Sequence, residues 1–138
     1  MKRFFSGIIA HHLGFPKGYC AIEQKCADYL LVEWNGDVYP CDFFVTPNDK
    51  IGNLMQESLS ELKSIRDNNF IPKKLTLAED CRTCKWLEIC YGGCIKDRLF
   101  PDNSNQNKSY FCKSYQTFFN YSNEWFLDYS KKVKRTIE

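Results

Sequence analysis

Eight cysteines carry most of the chemistry available to this sequence: Cys20, Cys26, Cys41, Cys81, Cys84, Cys90, Cys94 and Cys112. Thiols in such number serve as disulfides, zinc ligands or iron–sulfur ligands. Disulfides call for an oxidising compartment and a secretory signal. The opening Met1-Lys2-Arg3-Phe4-Phe5-Ser6-Gly7-Ile8-Ile9-Ala10 has a basic end and a short apolar stretch. Ser6 and Gly7 interrupt it, His11-His12 follow, and no small-x-small cleavage site closes it. The expected location is cytoplasmic, where thiols stay reduced and clustered cysteines hold metal.

Cys81, Cys84, Cys90 and Cys94 have the spacing C-x2-C-x5-C-x3-C. Two cysteines three apart on a turn can aim both sulfurs at one metal or one cluster edge. Four ligands here could close one centre and leave Cys20, Cys26, Cys41 and Cys112 for a second. Interleaving the two sets is equally compatible with the spacing. Zinc sites usually pair two C-x2-C knuckles or mix cysteine with histidine, whereas this sequence has one C-x2-C and keeps His11-His12 outside the cluster. The wider steps Cys20-x5-Cys26 and Cys90-x3-Cys94 suit the separated irons of a cubane better than one tetrahedral ion. Gly92-Gly93 fits too, since residues without Cβ let backbone N–H groups approach cluster sulfides, although an ordinary turn also uses glycine. Spacing favours iron–sulfur and leaves zinc open.

Several elements must hold these residues. Residues 1–19 predict a short helix ending in a turn at Gly14, Pro16 and Gly18. Tyr29–Glu33 is β-prone, Asn35-Gly36 favours a type I′ turn with φ > 0 at both residues, and Val38-Tyr39 resumes the strand. Cys41 then falls at the strand end, after Pro40. Leu54 to Phe70 predicts an amphipathic helix, with a Ser58/Glu61 capping box and Leu59, Leu62, Ile65 and Phe70 along one side. Cys81–Cys94 predicts a loop around a metal centre with one helical turn at most. From Ser114 to Lys134, the residues Tyr115, Phe118, Phe119, Ser122, Phe126, Tyr129 and Val133 recur at helical steps, so the tail predicts a long helix packed on the domain. Lys131, Lys132, Lys134 and Arg135 crowd its C-terminal end, where the dipole favours cations.

The chain has 138 residues, 43% of them hydrophobic and 16% aromatic, with a formal charge of +2. It is long enough for one domain and too apolar for disorder. Its charge balance calls for neither nucleic acid nor an anionic membrane, and no apolar run approaches the ~20 residues of a membrane span.

Cys20-x15-Gly36-x4-Cys41, then Cys81-x2-Cys84-x5-Cys90-x3-Cys94, then Cys112 resembles the seven-cysteine signature of SPASM domains, with Cys26 as an eighth ligand. These domains extend many radical S-adenosylmethionine (SAM) enzymes at the C-terminus. The stretches Tyr29–Glu33, Asn35–Val45 and Cys90-Tyr91-Gly92-Gly93-Cys94 are similar to the anaerobic sulfatase-maturating enzymes, and the resemblance covers residues 4–125. It implies an α+β fold: a small β-hairpin, helices and long loops organised around two iron–sulfur clusters, with a long C-terminal helix. Residues 1–19 would be the remnant linking to a radical SAM barrel, 20–113 the auxiliary-cluster domain and 114–138 the C-terminal amphipathic helix.

The resemblance further implies two [4Fe–4S] clusters. Cys20, Cys26, Cys41 and Cys94 would hold the first, and Cys81, Cys84, Cys90 and Cys112 the second. Eight thiolates remove eight charges and two 2+ cores return four, so the loaded chain would carry −2 rather than +2. Asp42 would be the general base that deprotonates a sulfatase Cys or Ser during oxidation to formylglycine; proximity to an anionic cluster would raise its pKa. The initiating C-x3-C-x2-C motif is absent from this sequence. The expectation is therefore the C-terminal part of an enzyme, not catalytic alone, with SAM bound only through the missing barrel. The partners implied are the sulfatase polypeptide and a ferredoxin or flavodoxin. A zinc-binding interaction module with four-cysteine sites and a stand-alone ferredoxin-like electron carrier are the alternatives.

Overall fold

The computed structural model describes residues 2–105 and 107–137. The chain divides into two compact units, one made of Met1–Lys25 with Leu77–Glu138 and the other of Cys26–Thr76.

The first unit opens with helix α1 (Lys2–His12). The second holds three short antiparallel strands, β1 (Leu31–Val32), β2 (Asp37–Tyr39) and β3 (Gly52–Asn53), in the order β1-β2-β3. Leu31 pairs with Tyr39 and Val32 with Val38, while Asp37 and Val38 face Asn53 and Gly52. The hairpin turn departs from the type I′ expectation. Glu33 N donates to Asp37 O, so the loop is Trp34-Asn35-Gly36, and Gly36 N closes the turn on Glu33 O. Gly36 alone takes positive φ, +85°, and Asn35 does not. Three-residue hairpin loops place one residue in the left-handed region, and Asn35 instead accepts the Asp37 N–H on its side-chain oxygen. Strand β2 stops at Tyr39, before Pro40, as expected.

Helices α2 (Leu59–Asn69) and α3 (Ile71–Leu75) complete the second unit. The Ser58/Glu61 capping box is present in both directions and starts α2 at Leu59 rather than near Leu54. Residues 54–57 form the turn into the cap, because Asn53 and Glu57 tie it locally. Leu62 and Phe70 are buried, but Leu59 is exposed, and Arg66 takes a buried position on the helix. Arg66 Nε donates to Pro40 O at 2.9 Å and Nη2 donates to Ala27 O.

The first unit resumes with three one-turn helices, α4 (Glu79–Arg82), α5 (Leu87–Cys90) and α6 (Ile95–Arg98), then α7 (Cys112–Ile137). The cysteine-dense segment is thus more helical than the single turn expected. Helix α1 packs along α7 around Ile8, Ile22, Ile89, Phe119 and Phe126, with Phe4, Phe5, Trp86, Tyr115 and Phe118 beside them. Burying each such side chain contributes roughly 1.5–3 kcal/mol. The packing expected of the tail holds for Tyr115, Phe118, Phe119 and Phe126; Tyr129 instead is exposed and stacks on Trp125, with centroids 5.1 Å apart. A Cβ on Gly7 would stand 2.9 Å from Ile22 Cδ1 and 3.0 Å from Lys17 O, so glycine lets α1 approach the following loop.

Candidate metal centre

Cys81, Cys84, Cys90 and Cys112 line one pocket of the first unit. Local hydrogen bonding sets their placement. Cys81 lies in α4, and Cys84 N turns back to Cys81 O at 3.2 Å. Leu87 N then bonds Cys84 O, which launches α5 and carries Cys90 to its last residue. Cys112 is the first residue of the long α7, where the helix dipole favours an anionic ligand. Cys81 is buried and the other seven cysteines are half-buried.

After Cys90 the chain runs through the left-handed region for three residues, Tyr91 (φ 45°), Gly92 (φ 70°) and Gly93 (φ 70°). Glycine serves a double purpose there. A Cβ on Gly92 would fall 2.6 Å from Leu77 Cδ2, and one on Gly93 would fall 2.9 Å from Ser109 Cβ. Arg98, 1% exposed, fixes the turn by donating from Nε to Gly92 O and from Nη2 to Tyr91 O, both at 3.0 Å.

The donor set fits an iron–sulfur cluster. Four thiols from α4, its exit turn, α5 and α7 converge on the pocket, yet among the described residues no three His, Cys, Asp or Glu side chains form a group that could hold a single ion. Cysteine thiolates are the usual ligands of iron–sulfur clusters, and four of them complete the ligation of one core. Trp86 also lines the pocket, and among the described residues its buried indole Nε1 has no hydrogen-bond partner. Burial pushes the Cys81 and Cys112 thiols up; Cys112 adds to the rise at Cys81, and Cys84 to that at Cys112, while Lys108 opposes both.

Of the other four cysteines, Cys20 and Cys94 belong to the first unit, and Cys26 and Cys41 to the second. Tyr19 lies in the field of both Cys20 and Cys94; burial and then these two thiols raise its pKa. In the second unit, Cys26 directly precedes Ala27 and Cys41 directly follows Pro40, the two residues whose carbonyls Arg66 holds. Asp42 is exposed and accepts at Oδ1 from the Tyr29 hydroxyl at 2.5 Å and from Cys41 Sγ at 3.2 Å. Burial, then the bond to Asp42, raises the Tyr29 pKa. His11 and His12 touch each other in the last turn of α1, with centroids 5.2 Å apart.

Sequence reasoning overlooked Lys17, Tyr29, Arg66, Trp86 and Arg98. For Tyr29 a signal existed, since it opens the β-prone run that leads into β1, antiparallel to the strand leading to Asp42. The buried cations gave none.

Residues 20–85 match the SPASM family, an iron-sulfur cluster-binding domain. Over these residues the chain is similar to a SPASM domain. Its α+β architecture and long terminal helix match the corresponding region of solved relatives. Native anSMEcpe with bound AdoMet and Cp18Cys peptide superposes with a TM-score of 0.83 at 31% identity, over 95% of this chain and 37% of that one. A cysteine-type anaerobic sulfatase-maturating enzyme of Clostridium perfringens (strain 13 / Type A) is 31% identical over 133 residues, 96% of this chain and 36% of its own length. A serine-type anaerobic sulfatase-maturating enzyme of Bacteroides thetaiotaomicron is 33% identical over 133 residues, 94% of this chain and 32% of its own. The chain spans about a third of the length of these curated relatives. No helix among its described residues is long and apolar enough to cross a membrane.

Proposed function

We propose that this chain is the auxiliary-cluster, electron-relay part of a radical SAM enzyme that oxidises a sulfatase Cys or Ser to formylglycine in the cytoplasm. The convergence of Cys81, Cys84, Cys90 and Cys112 on one pocket is the observation that carries this reading. Those four residues would hold one [4Fe–4S] cluster, and Cys20, Cys26, Cys41 and Cys94 the other. Clusters of this kind supply one-electron transfer, and ligation by cysteine alone leaves no iron open to substrate. Residues 1–19 would join a barrel that binds S-adenosylmethionine, and ferredoxin or flavodoxin would exchange electrons with the assembled enzyme. Without the barrel the chain is a cluster carrier and not a catalyst.

Asp42 is the residue assigned to the proton. The Tyr29 hydroxyl holds its Oδ1 at 2.5 Å. A thiolate at Cys41 no longer donates to that oxygen when the cysteine is a ligand, while the Tyr29 hydroxyl still does. The fixed carboxylate then receives the proton from the sulfatase Cys or Ser side chain.

Anaerobic reconstitution followed by iron, sulfide and zinc analysis tests the assignment. Two cubanes give about eight irons and eight sulfides per chain. About two zinc ions without sulfide would sink the cluster reading in favour of the zinc-binding interaction module. The base is tested separately: Asp42→Asn in a polypeptide that includes the barrel leaves the iron content unchanged and abolishes turnover. Persisting turnover would remove Asp42 from the reaction.

A further inference from the structure

Lys17 is a buried cation whose position the cluster reading explains. It is 8% exposed, and its Nζ donates to Ile22 O at 2.8 Å and to Glu88 O at 2.5 Å. The same Nζ stands 4.5 Å from the centroid of the Tyr91 ring. Glu88 and Tyr91 bracket Cys90, so the ammonium rests on the segment that carries this thiol into the pocket. The position is built rather than incidental: Gly7 supplies the gap in α1 that admits the Lys17 backbone.

Carbonyls and a ring face offer only partial negative charge. Among the described residues Lys17 enters no salt bridge; the carboxylates of Glu23 and Glu88 act on it from further away. A lysine taken out of water needs an anion nearby or it gives up its proton. Of the other cations, Lys108 lines the pocket but shares its charge there with Asp80, Lys85 lies over the Trp86 ring, and Arg98 closes the turn at Tyr91 and Gly92.

Four thiolates around a [4Fe–4S]²⁺ core carry −2, and one added electron makes −3. A fixed cation stabilises the −3 state more than the −2 state, so it raises the reduction potential. We propose that Lys17 is the built-in counter-cation of the centre held by Cys81, Cys84, Cys90 and Cys112, raising its potential and easing entry of the electron. This rests on the cluster assignment above. Lys17 acts through charge and takes no part in bond-making, so it is a tuning residue.

The test uses the whole chain, reconstituted anaerobically and titrated with dithionite through mediator dyes while paramagnetic signals are followed. Dithionite supplies the electron that converts each 2+ core to 1+. The signal altered by Cys84→Ala identifies the centre. In Lys17→Met and Lys17→Gln, iron and sulfide stay at the parent level and the potential of that centre falls. The expected shift in the reduction equilibrium is about tenfold or more, which is ~59 mV for a one-electron couple. The other centre moves less.

Unchanged potentials in both variants overturn the proposal. So does a fall in Lys17→Met alone, because Gln keeps an N–H donor for the carbonyls and lacks only the charge; that variant also decides the matter if the Met form fails to assemble. A parent chain that takes up no iron and sulfide overturns the cluster assignment itself, and metal analysis reports this before any potential is read.

Discussion

Three basic residues hold the cysteine-bearing segments by their backbone carbonyls: Lys17 at Ile22 and Glu88, Arg66 at Ala27 and Pro40, Arg98 at Tyr91 and Gly92. Each pinned carbonyl lies within two residues of a cysteine. Such side chains read as surface charges in a sequence, because lysine and arginine are almost never fully buried unless paired. Nothing local marks Arg66 or Arg98 as buried; only the folded chain brings carbonyls to the guanidinium. The cysteines were legible for the opposite reason, since their type and spacing specify chemistry without reference to packing. At this scale we expect Arg98→Met to destabilise the reconstituted protein by about 2–4 kcal/mol, because it strands the Tyr91 and Gly92 carbonyls in a buried, left-handed turn. An anaerobic thermal melt checks it, and a loss under about 0.5 kcal/mol, the usual limit for surface changes, would contradict the role.

The elements divide by how local their signals are. The capping box at Ser58 and Glu61 is complete within four residues, and it formed as expected. Replacing Ser58 by Ala should cost about 1 kcal/mol of stability, read as a lower urea midpoint at unchanged slope. An unchanged midpoint would mean that α2 is held by Leu62 and Arg66 alone. The long helix was legible from the spacing of Phe119 and Phe126, yet Tyr129, on the same expected stripe, is exposed and stacked on Trp125. The packed face runs through Phe119, Phe126 and Ser130, all buried, which leaves Tyr129 about 100° round the helix from Ser130. Strand β3 left no trace in composition: Gly52 and Asn53 have poor strand propensity, and main-chain bonds from Ile51 to Val38 and from Leu54 to Gly36 place them. At the hairpin, Asn35-Gly36 signalled a turn, but the three-residue loop length selected its type.

At the scale of the molecule, the cysteine pattern pointed to SPASM domains, and that resemblance carried the α+β fold with its long terminal helix. What the sequence pattern did not convey is the discontinuity of the first unit, because pairing α1 with α7 is a long-range event without a local marker. That discontinuity bears on how the chain folds as it is made. Residues 26–76 are contiguous, so the whole of that unit is available to fold once Thr76 has emerged from the ribosome. Helix α1, synthesised earlier, meets only Ile22 and its neighbours in the following loop until Ile89 and α7 follow, and joining α1 to α7 closes a long loop. The entropic cost of such closure grows only slowly with length, by about 0.6 kcal/mol per doubling, and an inserted unit that folds first shortens the span still to be closed. The pocket lined by Cys81, Cys84, Cys90 and Cys112 therefore cannot close until Cys112 and the start of α7 have been made, which leaves its first three thiols open to solvent over that interval.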